Sequence, residues 1–406
     1  MNVRVVIRPG PLRGRVRAIA SKSQAHRLLI CAALSDRGTE IVCRESSGDI
    51  DATADCLRAL GAGIDYNGGV FRVRPITEPV RGAQLDCGES GSTLRFLLPV
   101  LCALGTGARV KMHGRLPERP LSPLWEALES AGARLSHPAA DEIAVEGAIA
   151  CGEYEIAANV SSQFISGLLL ALPLCGGGRV ALSGAAESSQ YIEITRRAQA
   201  AFGVRSGFDG AGYTVPPQPR YRSPGTLEVE GDWSNAAFWL CARALGSEVE
   251  CSGLDPDSPQ GDRAAAGLLE KISRGGAVID ARDVPDLIPV LSVAAAVSPG
   301  KTEFINAGRL RIKESDRLET TAAMLASLGA DVTERPDGLT VRGVERLAGG
   351  VVDSANDHRI AMSAAVASTV CRDAVTVLGA QCVDKSYPRF WDDFESLGGQ
   401  TSKEDG

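Results

Sequence analysis

The chain has 406 residues, 44% of them hydrophobic, and its 43 lysines and arginines against 50 aspartates and glutamates leave a net charge of −7. At ~100–200 residues per domain this is length for two or three domains, and the acidic balance excludes a general affinity for nucleic acid or anionic lipid. The longest mainly apolar stretches, 164–174 and 287–297, are broken by serine, glycine or proline and fall short of the ~20 residues that span a bilayer. The opening MNVRVVIRPG has no apolar signal core. Eleven cysteines are scattered without a single CxxC, and the four histidines (26, 113, 137 and 358) stand far apart. A reduced, cytoplasmic protein without metal is therefore expected, most cysteines serving as small core residues.

Along the chain the first element is an Ala/Leu-rich helix announced by small polar residues, SKSQAHRLLICAAL. It returns as ESGSTLRFLLPVL, VSSQFISGLLLAL, DWSNAAFWLCARAL, DVPDLIPVLSVAAAV and SANDHRIAMSAAVAS. Anchored on Ser23, Ser92, Ser162, Ser234, Asp286 and Asp357, the intervals are 69, 70, 72, 52 and 71 residues. Between these helices runs a second series, each a helix closing on glycine and usually leading into a strand, at Gly61, Gly132, Gly203, Gly275, Gly329 and Gly398. Its intervals are 71, 71, 72, 54 and 69, and glycine suits the left-handed residue that ends a helix. Two independent markers thus define six units, the fourth shortened. Strands are expected between the helices, among them 40–43, 71–73 and 339–341.

The first helix of each unit is apolar nearly all round, which predicts a place in a domain interior. Its polar residues crowd the amino-terminal end, where unpaired N–H groups and about half a positive charge favour anions. Capping by Ser, Asp and Asn explains part of this pattern. It does not explain Lys22, Arg27, Arg95 and Arg359 in or beside first turns, where the dipole disfavours cations. Arg119, Arg317 and Lys385 also lie in short polar segments, and a bound anion would compensate all of them. Two carboxylates accompany the cations: Glu314 at the mouth of the helix opened by Lys313-Glu314-Ser315-Asp316-Arg317, and Asp286 between Pro285 and Pro289. An acid and a base for proton transfer and plain capping or helix-dipole roles fit this spacing equally well. There is no P-loop, ESGST is not the GxSxG of a serine nucleophile, and with 5% aromatics base stacking has no support.

Taken together, SKSQAHR (21–27), ESGSTLR (89–95), RLPERPLSPL (115–124), SSQF (161–164), SSQYIEIT (188–195), VPDLIP (284–289), RIKESDRL (311–318), NDHRIAM (356–362) and DKSYPRF (384–390) resemble the 5-enolpyruvylshikimate-3-phosphate synthase family of enolpyruvyl transferases from end to end. The resemblance implies an α/β fold of the two-domain inside-out barrel type, with six βαβαββ repeats, three per domain. One domain would comprise 1–20 plus 231–406 and the other 21–230, with the active site in the cleft between them. It implies a monomer with no cofactor. The reaction would move the enolpyruvyl group of phosphoenolpyruvate to the 5-hydroxyl of shikimate 3-phosphate and release phosphate, through a tetrahedral adduct on the route to chorismate and aromatic amino acids.

Carried over position by position, Lys22, Arg119, Gln163 and Lys385 match residues around the phosphoenolpyruvate phosphate, with Gly91 against that ligand, and Arg317 and Arg359 match those gripping its carboxylate. Lys22, Ser23, Arg27, Ser161, Ser162, Gln163, Ser188, Tyr191, Asp286 and Lys313 match the shikimate 3-phosphate site. Lys22, Asp286 and Glu314 match the catalytic positions, Asp286 near the 5-hydroxyl and Glu314 near the methylene carbon. Glycine at 91 further implies sensitivity to glyphosate. Three departures stand out: Arg309 where the family has asparagine or a small residue, Glu89 where asparagine is common, and the fourth unit, which lacks room for a hairpin after Gly275. The sister transferase acting on UDP-N-acetylglucosamine carries asparagine after its amino-terminal lysine and a cysteine- or aspartate-bearing loop; here Ser23 follows Lys22, and RLPERPL has no cysteine.

Overall fold

The computed structural model describes residues 3–157, 161–184 and 189–405. Among these residues twelve α-helices alternate between two roles: α1 (Lys22–Ala33), α2 (Gly48–Ala59), α3 (Gly91–Leu104), α4 (Leu124–Ser130), α5 (Ser162–Ala171), α6 (Ser189–Ala201), α7 (Trp233–Ala244), α8 (Ala265–Ser273), α9 (Ile288–Val297), α10 (Arg317–Ser327), α11 (His358–Ala367) and α12 (Phe390–Ser396). The odd-numbered helices are the six polar-fronted segments of the sequence. They are buried on nearly every face; α9, for one, buries Ile288 through Ala296 without a break. The even-numbered helices are the glycine-ended ones. All six closing glycines adopt positive φ, between +81° and +111°, a region where an L side chain is strained.

The chain forms two compact units, Met1–Ile19 with Gly231–Gly406, and Ala20–Glu230. Each has its own apolar core: one gathers Leu29, Leu57, Phe96, Leu98 and Leu169, the other Trp239, Leu291, Leu325, Val366 and Phe390. Helices make the interior of each unit and sheets the outside, the inside-out α/β arrangement expected from the sequence.

Among the described residues four of the six sheets follow one scheme in full. A strand preceding an odd helix pairs in parallel with a strand following one, and a hairpin then adds two antiparallel strands. Ala83–Asp86 beside Ala108–Lys111, then Glu142–Gly147 and Ala133–Ala139, is typical. The expected strands appear, the first shifted by one residue to Thr39–Val42 and the other two widened to Val70–Arg74 and Gly338–Arg342. One exchange breaks the local order. Arg13–Arg17 precedes α1 yet pairs with Glu248–Ser252, which follows α7. Thr226–Glu228 precedes α7 yet pairs with Thr39–Val42, which follows α1. These swapped strands make one unit discontinuous in sequence. Val3–Arg8 adds to it, lying between Val375–Leu378 and Gln400–Asp405.

The short fourth repeat has a simple structural form. Its sheet holds only Arg13–Arg17 and Glu248–Ser252, whereas the other five sheets have four strands. After Gly275 the chain makes one strand, Ala277–Asp280, and proceeds to α9. The hairpin is missing, and the helices of the unit are intact.

Candidate active site

Within the unit 20–230, the amino-terminal ends of the odd helices are tied by side chains. Ser21, Ser90 and Ser161 cap α1, α3 and α5, accepting from the backbone N–H of Gln24, Thr93 and Gln163. In the first turn of α5, the Gln163 amide accepts from Arg95 at 2.9 Å and donates to Ser92 Oγ at 2.9 Å, which joins it to α3. Gly91 opens α3 at this junction, and a Cβ there would stand 2.8 Å from a terminal nitrogen of both Arg119 and Arg95. Arg119 has a buried Nε with no partner among the described residues, as expected of a guanidinium built to meet an anion. Lys22 Nζ is 2.9 Å from Asp49 Oδ2 at the start of α2.

Arg27 is 2% exposed. It donates to Thr195 Oγ1 at 2.6 Å, to the Ser23 carbonyl at 2.5 Å and to the Tyr191 carbonyl at 3.0 Å, above the Phe96 ring. Burial pulls this guanidinium below its ordinary range. In this state Arg27 braces α1 against α6. Phe96 packs under Arg27 and edge-on to His26, and the Glu89 carboxylate lies against Gly114. Ser23 and Tyr191 are half-buried and Ser162 is buried in the first turn of α5. Ser188 lies outside the described residues.

The other unit holds a denser cluster. Asp286 sits in the single 3₁₀ turn Pro285–Leu287, just ahead of α9, whose cap position is Leu287. Its Oδ1 accepts from Arg317 Nη1 at 2.9 Å and its Oδ2 from Arg359 Nη2 at 3.0 Å, with Lys313 Nζ at 3.8 Å. Arg359 also donates to Ser234 Oγ at 3.1 Å, which joins the starts of α7, α9 and α11. Arg317 Nη2 donates to Glu314 Oε2 at 2.6 Å, and its Nε to Asp357 Oδ2 at 2.9 Å. Glu314 lies ahead of α10, whose cap is Asp316, so its carboxylate serves Arg317. Lys385 Nζ donates to the Asn356 carbonyl at 3.0 Å, beside the start of α11, and Arg309 is half-buried in the turn preceding Lys313.

The electrostatics follow from this mixture. Burial would raise the Asp286 carboxyl, but Arg359, Lys313 and Arg317 outweigh it and hold the group well below the usual carboxylate range. Burial would lower the Arg317 guanidinium, but Asp357, Glu314 and Asp286 carry it above its ordinary value. For Lys313 burial prevails over Asp286, and the ammonium comes down from 10.5 to about 8.

Sequence reasoning named Asp286, Lys313, Glu314, Arg317 and Arg359, and the structure brings these five together. It also joins Gly91, Arg119 and Gln163 in the other unit. Asp49, Ser92 and Thr195 were missed, because single polar residues in helices give no signal of their partners. Arg95 and Asp357 had signals, as a cation at a helix front and as the repeat anchor, but their partners are set only by folding. Among the described residues no helix is long and apolar enough to cross a membrane.

Both units gather buried cations at helix amino termini in a six-unit inside-out α/β fold, and such termini favour anions. The family profile described as EPSP synthase (3-phosphoshikimate 1-carboxyvinyltransferase) matches residues 6–394. The chain belongs to this family. A 3-phosphoshikimate 1-carboxyvinyltransferase from Clostridium perfringens is 40% identical over 418 residues, covering 98% of each chain. One from Clostridium kluyveri is 40% identical over 98% of this chain and 97% of the relative. Two solved structures of EPSP synthase from Acinetobacter baumannii share the fold, with TM-scores of 0.83 and 0.81 at 23% and 21% identity. They cover 99% and 100% of this chain and the whole of the matched chains.

Proposed function

We propose that this chain transfers the enolpyruvyl group of phosphoenolpyruvate to the 5-hydroxyl of shikimate 3-phosphate, with release of phosphate. The observation that carries this is the Asp286 carboxylate bridging Arg317 and Arg359 at 2.9 and 3.0 Å. Two guanidiniums are spaced to share one carboxylate, with a second acid, Glu314, on the same arginine. In the reaction the carboxylate of phosphoenolpyruvate takes that bridging place. Its phosphate lies against Lys22, Arg119, Gln163 and Lys385, over Gly91. Shikimate 3-phosphate is held by Lys22, Ser23, Arg27, Ser161, Ser162, Gln163, Ser188, Tyr191, Asp286 and Lys313.

Glu314 gives a proton to C3 of the enol while the 5-hydroxyl adds to C2 and Asp286 takes its proton, forming a tetrahedral adduct. Phosphate then leaves, its bridging oxygen faced by the Lys22 ammonium, and one C3 proton returns to Glu314 to restore the double bond. Both steps place positive character on C2, which the neighbouring carboxylates stabilise. The family profile and the 40% relatives support this assignment. A monomeric, cytoplasmic enzyme suits eleven free cysteines, most of them buried. Phosphate release on mixing phosphoenolpyruvate with shikimate 3-phosphate tests it. Release with UDP-N-acetylglucosamine in place of the shikimate would overturn it.

Lys313 gives this reaction a pH signature. An ammonium that titrates near pH 8 binds anions below that pH and loses its charge above it. The KM for shikimate 3-phosphate is therefore expected to climb above pH 8, by up to about tenfold per pH unit, while kcat stays level. A flat profile to pH 9.5 would remove Lys313 from the acceptor site. The stability effect has the opposite sense: the unfolded chain keeps this proton to a higher pH, so the empty protein gains stability between about 8 and 10.5.

Gly91→Ala is the test of the donor pocket. The added methyl meets Arg119 and Arg95 at 2.8 Å, and the flexible guanidinium ends give way into the donor's space. Glyphosate, longer than phosphoenolpyruvate, is expected to inhibit the parent enzyme competitively with it. The variant's inhibition constant should rise at least ~10-fold more than its KM for phosphoenolpyruvate. Equal changes in the two constants would place Gly91 outside the pocket.

A further inference from the structure

We propose that Asp357 is a positioning residue: without touching substrate, its carboxylate sets Arg317 and Arg359 at the spacing that grips the donor's carboxylate. The inference rests on the assignment of those two arginines given above.

Asp357 is fully buried and Arg317 is 1% exposed. The carboxylate reaches both arginines at once. Its Oδ2 accepts from Arg317 Nε at 2.9 Å and from Ser315 Oγ at 3.1 Å. Its Oδ1 accepts from Arg317 Nη2 at 3.3 Å and from the Arg359 backbone N–H at 2.9 Å. One group therefore grips the Nε edge of the first guanidinium in two-point fashion and the first turn of the helix carrying the second. A planar guanidinium held along one edge has its orientation fixed. Arg317 is left presenting Nη1, the atom that bonds Asp286 and lies opposite Arg359.

The backbone in front of Asp357 points the same way. Ala355 and Asn356 both lie in the left-handed region, at φ +48° and +58°, which is unfavourable for residues with a side chain. The turn is held by Asp353 Oδ1, which accepts from Ala355 N–H at 2.8 Å. Capping a helix does not require this: Ser21, Ser90 and Asp232 cap α1, α3 and α7 with no positive φ at the residue before them. Here the strained turn delivers a carboxylate deep enough to reach Arg317.

Asp357→Asn separates this role from capping, because asparagine caps as well as aspartate. An amide that accepts from the Arg359 N–H turns its NH2 toward Arg317 Nε and Ser315, donor against donor, and the guanidinium must rotate. The expected result is a loss on the order of 10²-fold in kcat/KM for phosphoenolpyruvate, carried by KM. Direct titration of shikimate 3-phosphate should give the parent dissociation constant. A variant with the parent KM for phosphoenolpyruvate, or one weakened equally toward both substrates, overturns the proposal. Should Asp357→Asn fail to fold, Ser315→Ala decides: losing one donor to Oδ2 should raise the same KM about threefold, and an unchanged KM counts against the idea. A parent enzyme that releases no phosphate sinks the assigned reaction; a working parent matched by Asp357→Asn sinks only the positioning role.

Discussion

Glu314→Gln is expected to lower kcat by about 10²–10⁴-fold, the usual cost of losing a general acid, while both KM values stay near the parent's. The amide is the same size, and its oxygen still accepts from Arg317 Nη2, the contact made by Glu314 Oε2 at 2.6 Å. Arg317 is also held by Asp357, so the donor's carboxylate keeps its guanidinium. Only the exchangeable proton disappears. Single-turnover kinetics should show the tetrahedral adduct forming slowly, because the first step needs a proton at C3. Near-normal turnover would move the acid to another group, with Lys22 next to examine.

Arg317→Met is expected to be the most damaging single change to stability, at about 3–5 kcal/mol. Methionine fills much of the space but leaves Asp357, fully buried, without the charge that compensates it. Burial raises that carboxyl and Arg317 lowers it; in the parent the balance is below the ordinary value. The parent therefore holds this stabilisation above the unfolded carboxyl value, ~3.9, and loses it as pH falls through the lower folded value. Without Arg317 burial prevails and the folded value rises above the unfolded one. The variant then loses stability as pH climbs through that interval, so its deficit against the parent should be smaller near pH 4.5 than at pH 7.5. Urea melts at the two values measure it, and an equal deficit at both would show that Asp357 is compensated by other groups.

Much of the fold was legible because its signals are local. A glycine that follows an apolar-x-x-apolar run closes a helix largely by its own conformational freedom, and all six such glycines take positive φ. The polar fronts of the odd helices were equally plain, since five of those helices begin right after a Ser or Asp cap, at 21, 90, 161, 232 and 357. The ninth helix shows the limit. Neither the 3₁₀ turn 285–287 nor α9 has a side-chain bond at its cap, and Asp286, the anchor of its repeat, bonds arginine instead. Two arginines distant in sequence compete for it and win, because a charged pair out of water is stronger than a neutral N–H contact.

The sequence by itself determined the six units, the shortened fourth and the residue types at each helix front, because repeat length, helix closure and capping depend on neighbours within one turn. It also placed the chain in its family through motifs that survive as strings. Only the tertiary structure decided that Arg13–Arg17 and Thr226–Glu228 exchange partners, since a parallel strand carries no mark of the strand it will join. The fate of each cation was settled there as well. Arg27 turns its donors to Thr195, Ser23 and Tyr191, and Arg317 is shared among Asp286, Glu314 and Asp357. A buried charge must find acceptors or a counter-charge in three dimensions, and which ones it meets is fixed by how the helix ends converge.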